Sequence, residues 1–102
     1  MKRVMVRYTV KPDQVAENER FIERVFRELE RAKPAGLRYA SFKLDDGVSF
    51  VHIASHDTPD GSNPLGELAA FREFSATVKE RCVSPPIVAQ LSEVGSYGFF
   101  TD

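Results

Sequence analysis

Apolar and polar residues alternate along the start of the chain. Val4, Val6, Tyr8 and Val10 fall on one side, and Arg3, Met5, Arg7 and Thr9 on the other. A period of two marks a strand, expected over roughly Lys2 to Val10. Pro12-Asp13 breaks it, and Asp13 is the expected N-cap of a helix over roughly Gln14 to Lys33. Asn18, Phe21, Ile22, Val25, Phe26 and Leu29 recur at helical spacing there, and only Asn18 in that stripe is polar. The rest of the helix interleaves Glu with Arg. Glu23–Arg27 and Glu28–Arg31 stand at favourable i,i+4 and i,i+3 spacings, which predicts a solvated outer face rather than a basic docking surface. Pro34 and Gly36 end the helix.

A two-faced hairpin follows, Leu37 to His56, turned at Asp46-Gly47. Pairing Asp45 with Val48 puts Leu44, Phe42 and Ala40 on one face with Ser49, Val51 and Ile53. Lys43, Ser41 and Tyr39 lie on the other, opposite Phe50, His52 and Ala54. The first face reads as a plain apolar core. The second is aromatic with a few polar tips, the make-up of a small-molecule pocket. Asp57 to Pro64 is a turn-rich loop. Asn63 is placed to cap a second helix that runs to about Val83, with Leu68, Phe71, Phe74, Ser75, Val78 and Cys82 as its buried stripe. Pro85-Pro86 stops it, and a last strand is expected from Ile87 through Val94 toward Tyr97.

The order β-α-β-β-α-β predicts an α+β, ferredoxin-like domain spanning 1–102. Right-handed crossovers put both helices on one face of a four-stranded antiparallel sheet. The other face is then bare, and is expected to carry Met5, Tyr39, Phe50 and Ala54. Such a patch, with Phe99 and Phe100 in the tail, predicts a homodimer packed sheet to sheet. Ser96 to Phe100 is expected to pack on the partner.

Composition narrows the function classes. The formal net charge is −1, so no overall field draws nucleic acid or an acidic membrane. No apolar run is long enough to span a bilayer, and the N-terminus shows no signal segment. A single cysteine, Cys82, excludes an internal disulfide and a multi-Cys zinc site. A cytoplasmic protein is expected, with neither nucleic acid nor membrane as partner.

Few residues can carry chemistry. His52 and His56 are the only histidines, and alternation puts both on the pocket face. A histidine can act as a general base or a metal ligand. A metal needs a third ligand, and no carboxylate is evident on the inner faces, so no metal is expected. Tyr39 could orient a phenol or carbonyl, and Arg7 could stabilise an enolate or carboxylate. The expected catalytic set is therefore His52, Tyr39 and Arg7. Ser41, Phe50, Ala54, His56 and Phe71 are expected to bind the ligand. No nucleophilic serine motif or phosphate loop is present.

The strand ending Val10-Lys11-Pro12, the helix after it, the run Phe50-Val51-His52-Ile53-Ala54-Ser55-His56, the helix with Phe71 and Phe74, and the final Val94-Gly95-Ser96-Tyr97 together resemble the antibiotic-biosynthesis-monooxygenase-like branch of the dimeric α/β-barrel superfamily. The resemblance covers nearly the whole chain and rests on element order and spacing. It implies a dimeric α/β barrel with one pocket per subunit, between sheet and helices or at the barrel mouth. Proteins of this kind include cofactor-free quinone-forming monooxygenases, haem-degrading enzymes and signal-molecule-degrading enzymes. The chain departs from them in lacking tryptophan; His56 stands where a tryptophan ends the third strand. Its second helix offers Phe71-Arg72 and no histidine for a haem iron, which argues against haem degradation. The expectation is a pocket for a small aromatic or hydrophobic molecule. It serves either a cofactor-independent oxygenase reaction with His52 as base or a non-catalytic ligand-binding or stress-associated dimer.

Overall fold

The computed structural model describes residues 2–99. Strand β1 (Lys2–Thr9) leads through a 3-10 turn, Pro12–Gln14, into helix α1 (Val15–Ala32). The hairpin is β2 (Leu37–Lys43) and β3 (Ser49–His56). A second 3-10 turn, Leu65–Glu67, precedes helix α2 (Ala69–Arg81), and β4 (Ile87–Gln90) completes the sheet. The strand order is β2-β3-β1-β4, with every pair antiparallel. This is the ferredoxin-like α+β arrangement expected from the element order.

The hairpin register is the expected one: Lys43 pairs with Phe50 and Ser41 with His52. Asp46 secures the turn by accepting from the Val48 and Ser49 amides and the Ser49 hydroxyl. The capping of α1 differs. Asp13 lies inside the 3-10 turn and makes no cap, because Pro12 tightens the chain one turn early. The helix ends on Lys33 in the left-handed conformation, its amide bonded to the Leu29 carbonyl. Asn63 does accept from the Gly66 amide at 3.2 Å, but it caps the 3-10 turn. Extended Leu68 then separates that turn from α2.

The sheet faces are the reverse of the expectation, and a pocket with His52 on the face away from the helices is ruled out. Both helices cover the face that carries Tyr39, Phe50, His52 and Ala54: Phe26 of α1 stacks on Tyr39, and Phe74 of α2 lies against Tyr8 and His52. The β1–β3 register supplies the reason. Val4, Val6 and Tyr8 pair with Ala54, His52 and Phe50, whereas Met5 pairs with Ile53 and Arg7 with Val51. Paired residues share a face, so the valine–tyrosine side of β1 and the aromatic side of the hairpin go inward together. The reverse choice would bury Arg3 and Arg7 against the helices, at a large desolvation cost.

The core gathers Tyr8, Val10, Val25, Phe50, Leu65, Leu68, Phe74 and Val78. Within the α1 stripe, Asn18 and Val25 are fully buried and Phe26 only partly. On α2, Ser75 is exposed, and Ala70 and Arg81 are buried instead. The bare face carries Met5, Val51 and Ile53 with Phe42 and Ile87, which are 48% and 62% exposed.

The last strand is shorter than expected. After Gln90, the Leu91 amide makes a final bond to the Arg3 carbonyl. The chain then leaves the ladder, held by an Arg3–Glu93 ion pair of 2.8 Å. Phe99 lies in a shallow depression with Ala40, Phe42 and Ile53 of its own sheet. Phe100 lies outside the described residues.

Candidate functional site

The inward face of the sheet and α2 line a half-open cavity of about 440 Å³. Val4, Val6 and Ala54 form its floor, Phe71, Phe74 and Val78 of α2 its roof, and Pro85, Pro86 and Val88 its rim. The lining is mostly apolar and of small-ligand size. Tyr8, His52 and Tyr39 form a polar wall on the sheet, and His56, Asn63, Ser75 and Lys79 also line the cavity.

His52 is 4% exposed and sits between two tyrosines. Its Nε2 lies 2.6 Å from the Tyr8 hydroxyl. Its Nδ1 lies 2.8 Å from the Tyr39 hydroxyl and 2.7 Å from Ser41 Oγ. Tyr8 and Tyr39 also stack on its ring. Behind Tyr8 the chain of bonds continues: Asn18 Nδ2 donates to the Tyr8 oxygen at 2.9 Å, and Arg81 Nε donates to Asn18 Oδ1 at 3.0 Å. Arg81 also donates to Thr77 Oγ1, and its guanidinium lies 4.3 Å above the Phe21 ring. This is a buried polar circuit running from α2 through α1 into the centre of the sheet.

Burial sets the acid–base character. It lowers the His52 pKa to about 4 and raises that of Tyr39 to about 12. Burial also raises the Tyr8 hydroxyl well above its ordinary value, against a smaller opposing pull from the Asn18 bond. At neutral pH the circuit therefore holds a neutral imidazole between two neutral phenols. The one formal charge in it is Arg81, whose Nη2 is buried without a hydrogen-bond partner among the described residues.

The expected residues divide into three groups. His52, Tyr39, Ala54, His56 and Phe71 all line the cavity. Ser41 and Phe50 stand behind it, Ser41 bonded to His52 and Phe50 stacked on Tyr8. Arg7 is on the opposite face of the sheet, exposed and paired with Val51. The expected trio of His52, Tyr39 and Arg7 therefore does not assemble. His56 is partly buried, and burial, with a smaller push from nearby Lys2, lowers its pKa. Among the described residues no group of three His, Cys, Asp or Glu is placed to hold a metal, and no helix is long and apolar enough to cross a membrane.

Three members of the site are not among the residues expected from sequence: Tyr8, Asn18 and Arg81. A signal existed for two of them. Asn18 is the lone polar residue in an apolar stripe, the mark of a buried group with a dedicated partner. Arg81 follows Phe74 and Val78 at helical spacing, on the same side of α2.

No family model matches the chain, and no curated protein does. Solved structures do. An antibiotic biosynthesis monooxygenase is 16% identical with a TM-score of 0.75, the match covering 93% of this chain and all of that one. Rv0793 from Mycobacterium tuberculosis is 17% identical, also at 0.75, over 93% of this chain and 96% of its own. SnoaB, a cofactor-independent oxygenase from Streptomyces nogalater, is 17% identical at 0.70, over 95% of this chain and 96% of its own. The chain thus has the fold of the antibiotic biosynthesis monooxygenase structures.

Proposed function

We propose that this chain forms a homodimer in which each subunit binds one small aromatic or hydrophobic molecule between the sheet and α2. One observation carries the reading: an apolar cavity walled by Phe71, Phe74 and Val78 has a compact polar wall at Tyr39 and His52. Apolar burial supplies affinity in such a site, and the polar wall orients the ligand. The dimer follows from the bare sheet face with Phe42, Val51 and Ile87, a patch that a second copy would cover. Native mass spectrometry of the purified protein tests both parts. A mass of two chains carrying a small co-purified ligand is expected, and Phe71→Ala should release that ligand. A single-chain mass at micromolar concentration overturns the dimer. A ligand retained unchanged in Phe71→Ala overturns the cavity.

A cofactor-independent oxygenase is the second reading, favoured by the fold shared with SnoaB. It requires removal of a proton from a phenol that then hands an electron to dioxygen, with His52 as base and Tyr39 beside the phenolate. Two features weigh against it. Both His52 nitrogens already have hydrogen-bond partners, and burial makes the imidazole a weak base. Oxygen uptake with an oxidisable phenol, present in wild type and abolished in His52→Ala, would favour catalysis. No uptake with any phenol tested leaves binding as the function.

A further inference from the structure

Resting on the binding reading, we propose that the cavity selects ligands that present a hydrogen-bond-accepting oxygen to Tyr39 over hydrocarbons of the same shape. Asn18 and Arg81, which do not line the cavity, impose this selection by fixing His52 in one tautomer.

The argument is a count of protons. Arg81 Nε can only donate, so the Asn18 atom facing it at 3.0 Å is the oxygen. Turning the amide over would set two donors against each other. Asn18 therefore presents its NH₂ to Tyr8, and the Tyr8 oxygen accepts at 2.9 Å. The single Tyr8 proton then goes to His52 Nε2 at 2.6 Å. A neutral imidazole carries one N–H, and with Nε2 accepting, that N–H is on Nδ1. It points to Ser41 Oγ and the Tyr39 oxygen, at 2.7 and 2.8 Å. Ser41 also bonds Tyr39, in the direction that lowers the Tyr39 pKa, so the Ser41 hydroxyl proton goes to the Tyr39 oxygen, and no nitrogen lone pair remains for the Tyr39 proton. Tyr39 lines the cavity, so that proton is offered to the ligand.

The remote end is well fixed. Arg81 is held by Thr77 Oγ1 and sandwiched over Phe21 and Phe74, at 4.3 and 5.6 Å. Asn18 is fully buried. Arg81 and Asn18 are thus positioning residues: they set the direction of every bond between α2 and the cavity.

The test has one measurement without ligand and one with. Nitrogen-15 NMR of the whole protein at pH 7 should show His52 protonated at Nδ1; protonation at Nε2 overturns the proposal. For binding, 2-acetylnaphthalene is compared with 2-isopropenylnaphthalene, which has the same shape without the oxygen. Wild type should prefer the ketone by about fivefold to tenfold, the worth of one hydrogen bond; equal affinity overturns the proposal. Asn18→Asp reverses the circuit. A carboxylate cannot donate, so it takes the Tyr8 proton. The Tyr8 oxygen must then accept from Nε2–H, and Nδ1 takes the Tyr39 proton. The tautomer should switch and the ketone preference disappear, the two probes then binding equally. A ketone preference that survives the switch overturns the proposal. Should Asn18→Asp not fold, Tyr39→Phe must remove the preference while leaving the Nδ1 proton in place. Failure of both probes to bind wild type removes the cavity reading and the selection together, while the tautomer still reports on the circuit.

Discussion

The two faces of this sheet carry similar numbers of apolar residues and meet opposite fates. The outward face, with Met5, Val51, Ile53 and Phe42, reads as a conventional core and lies bare. The inward face holds Tyr8, His52, Tyr39 and Ser41, reads as a polar-tipped pocket, and lies under both helices. The difference is in what the polar atoms can reach. On the inward face each meets another: Tyr8 and Asn18, His52 and Ser41. Paired in this way they can be buried at little cost, and leaving one unpaired is what costs. On the outward face Arg7 is exposed and Arg3 leans on Glu93, and guanidinium groups of that kind resist burial under a helix. Polarity alone does not assign a face; the availability of partners does.

Removing packing from the inward face should cost most. Phe74 is 6% exposed and touches Tyr8, His52 and Phe71. Phe74→Ala should lower stability by about 3–5 kcal/mol, read from urea midpoints. A loss near zero would put the core elsewhere.

Acid should act next, and through His52. Its folded pKa of about 4 lies below the ordinary 6.5. The unfolded chain therefore takes up a proton between these values while the folded protein does not. Stability is full above pH 6.5 and falls as the pH drops toward 4, by about 3 kcal/mol from this group. His52→Gln should flatten that part of the profile. An identical pH dependence in wild type and variant would place His52 in solvent.

Opening the circuit should cost less. Tyr8→Phe leaves Asn18 Nδ2 and His52 Nε2 without their shared partner, a loss of about 1–3 kcal/mol. The outward face gives the smallest effect on the folded subunit. Arg7→Gln should change stability by less than about 0.5 kcal/mol and leave probe binding unaltered. Weakened binding in Arg7→Gln would show that the outward face contributes to the site after all.

Local rules accounted for much of this molecule. Asp46-Gly47 set the hairpin register, the apolar stripe placed α1, and element order placed four strands and two helices. Alternation also grouped Tyr39, Ser41 and His52 correctly, because a strand has a period of two whichever way it faces. What alternation cannot supply is the pairing between β1 and β3, which fixes the face and joins residues far apart in the chain. Without it, alternation groups Met5 with Phe50 rather than Ile53 and Arg7 with His52, and does not bring Tyr8 into the site. The last strand is shorter than its pattern for a related reason. Val94 and Tyr97 continue an apolar pattern, but the chain leaves the ladder at Leu91, where Glu93 reaches Arg3.

The strand order has a consequence for how the chain becomes a protein. β1 is made first yet sits at the centre, and both of its neighbours come later: Val4 pairs with Ala54 and with Gln90. During synthesis, β2 and β3 can zip together alone as a local hairpin, while β1 stays unpaired until β3 emerges. It keeps one raw edge until β4 arrives. Closing such distant contacts is the slow part of folding, and an unpaired apolar strand is most open to wrong partners while it waits. For this chain the vulnerable interval falls between the synthesis of β1 and that of β4.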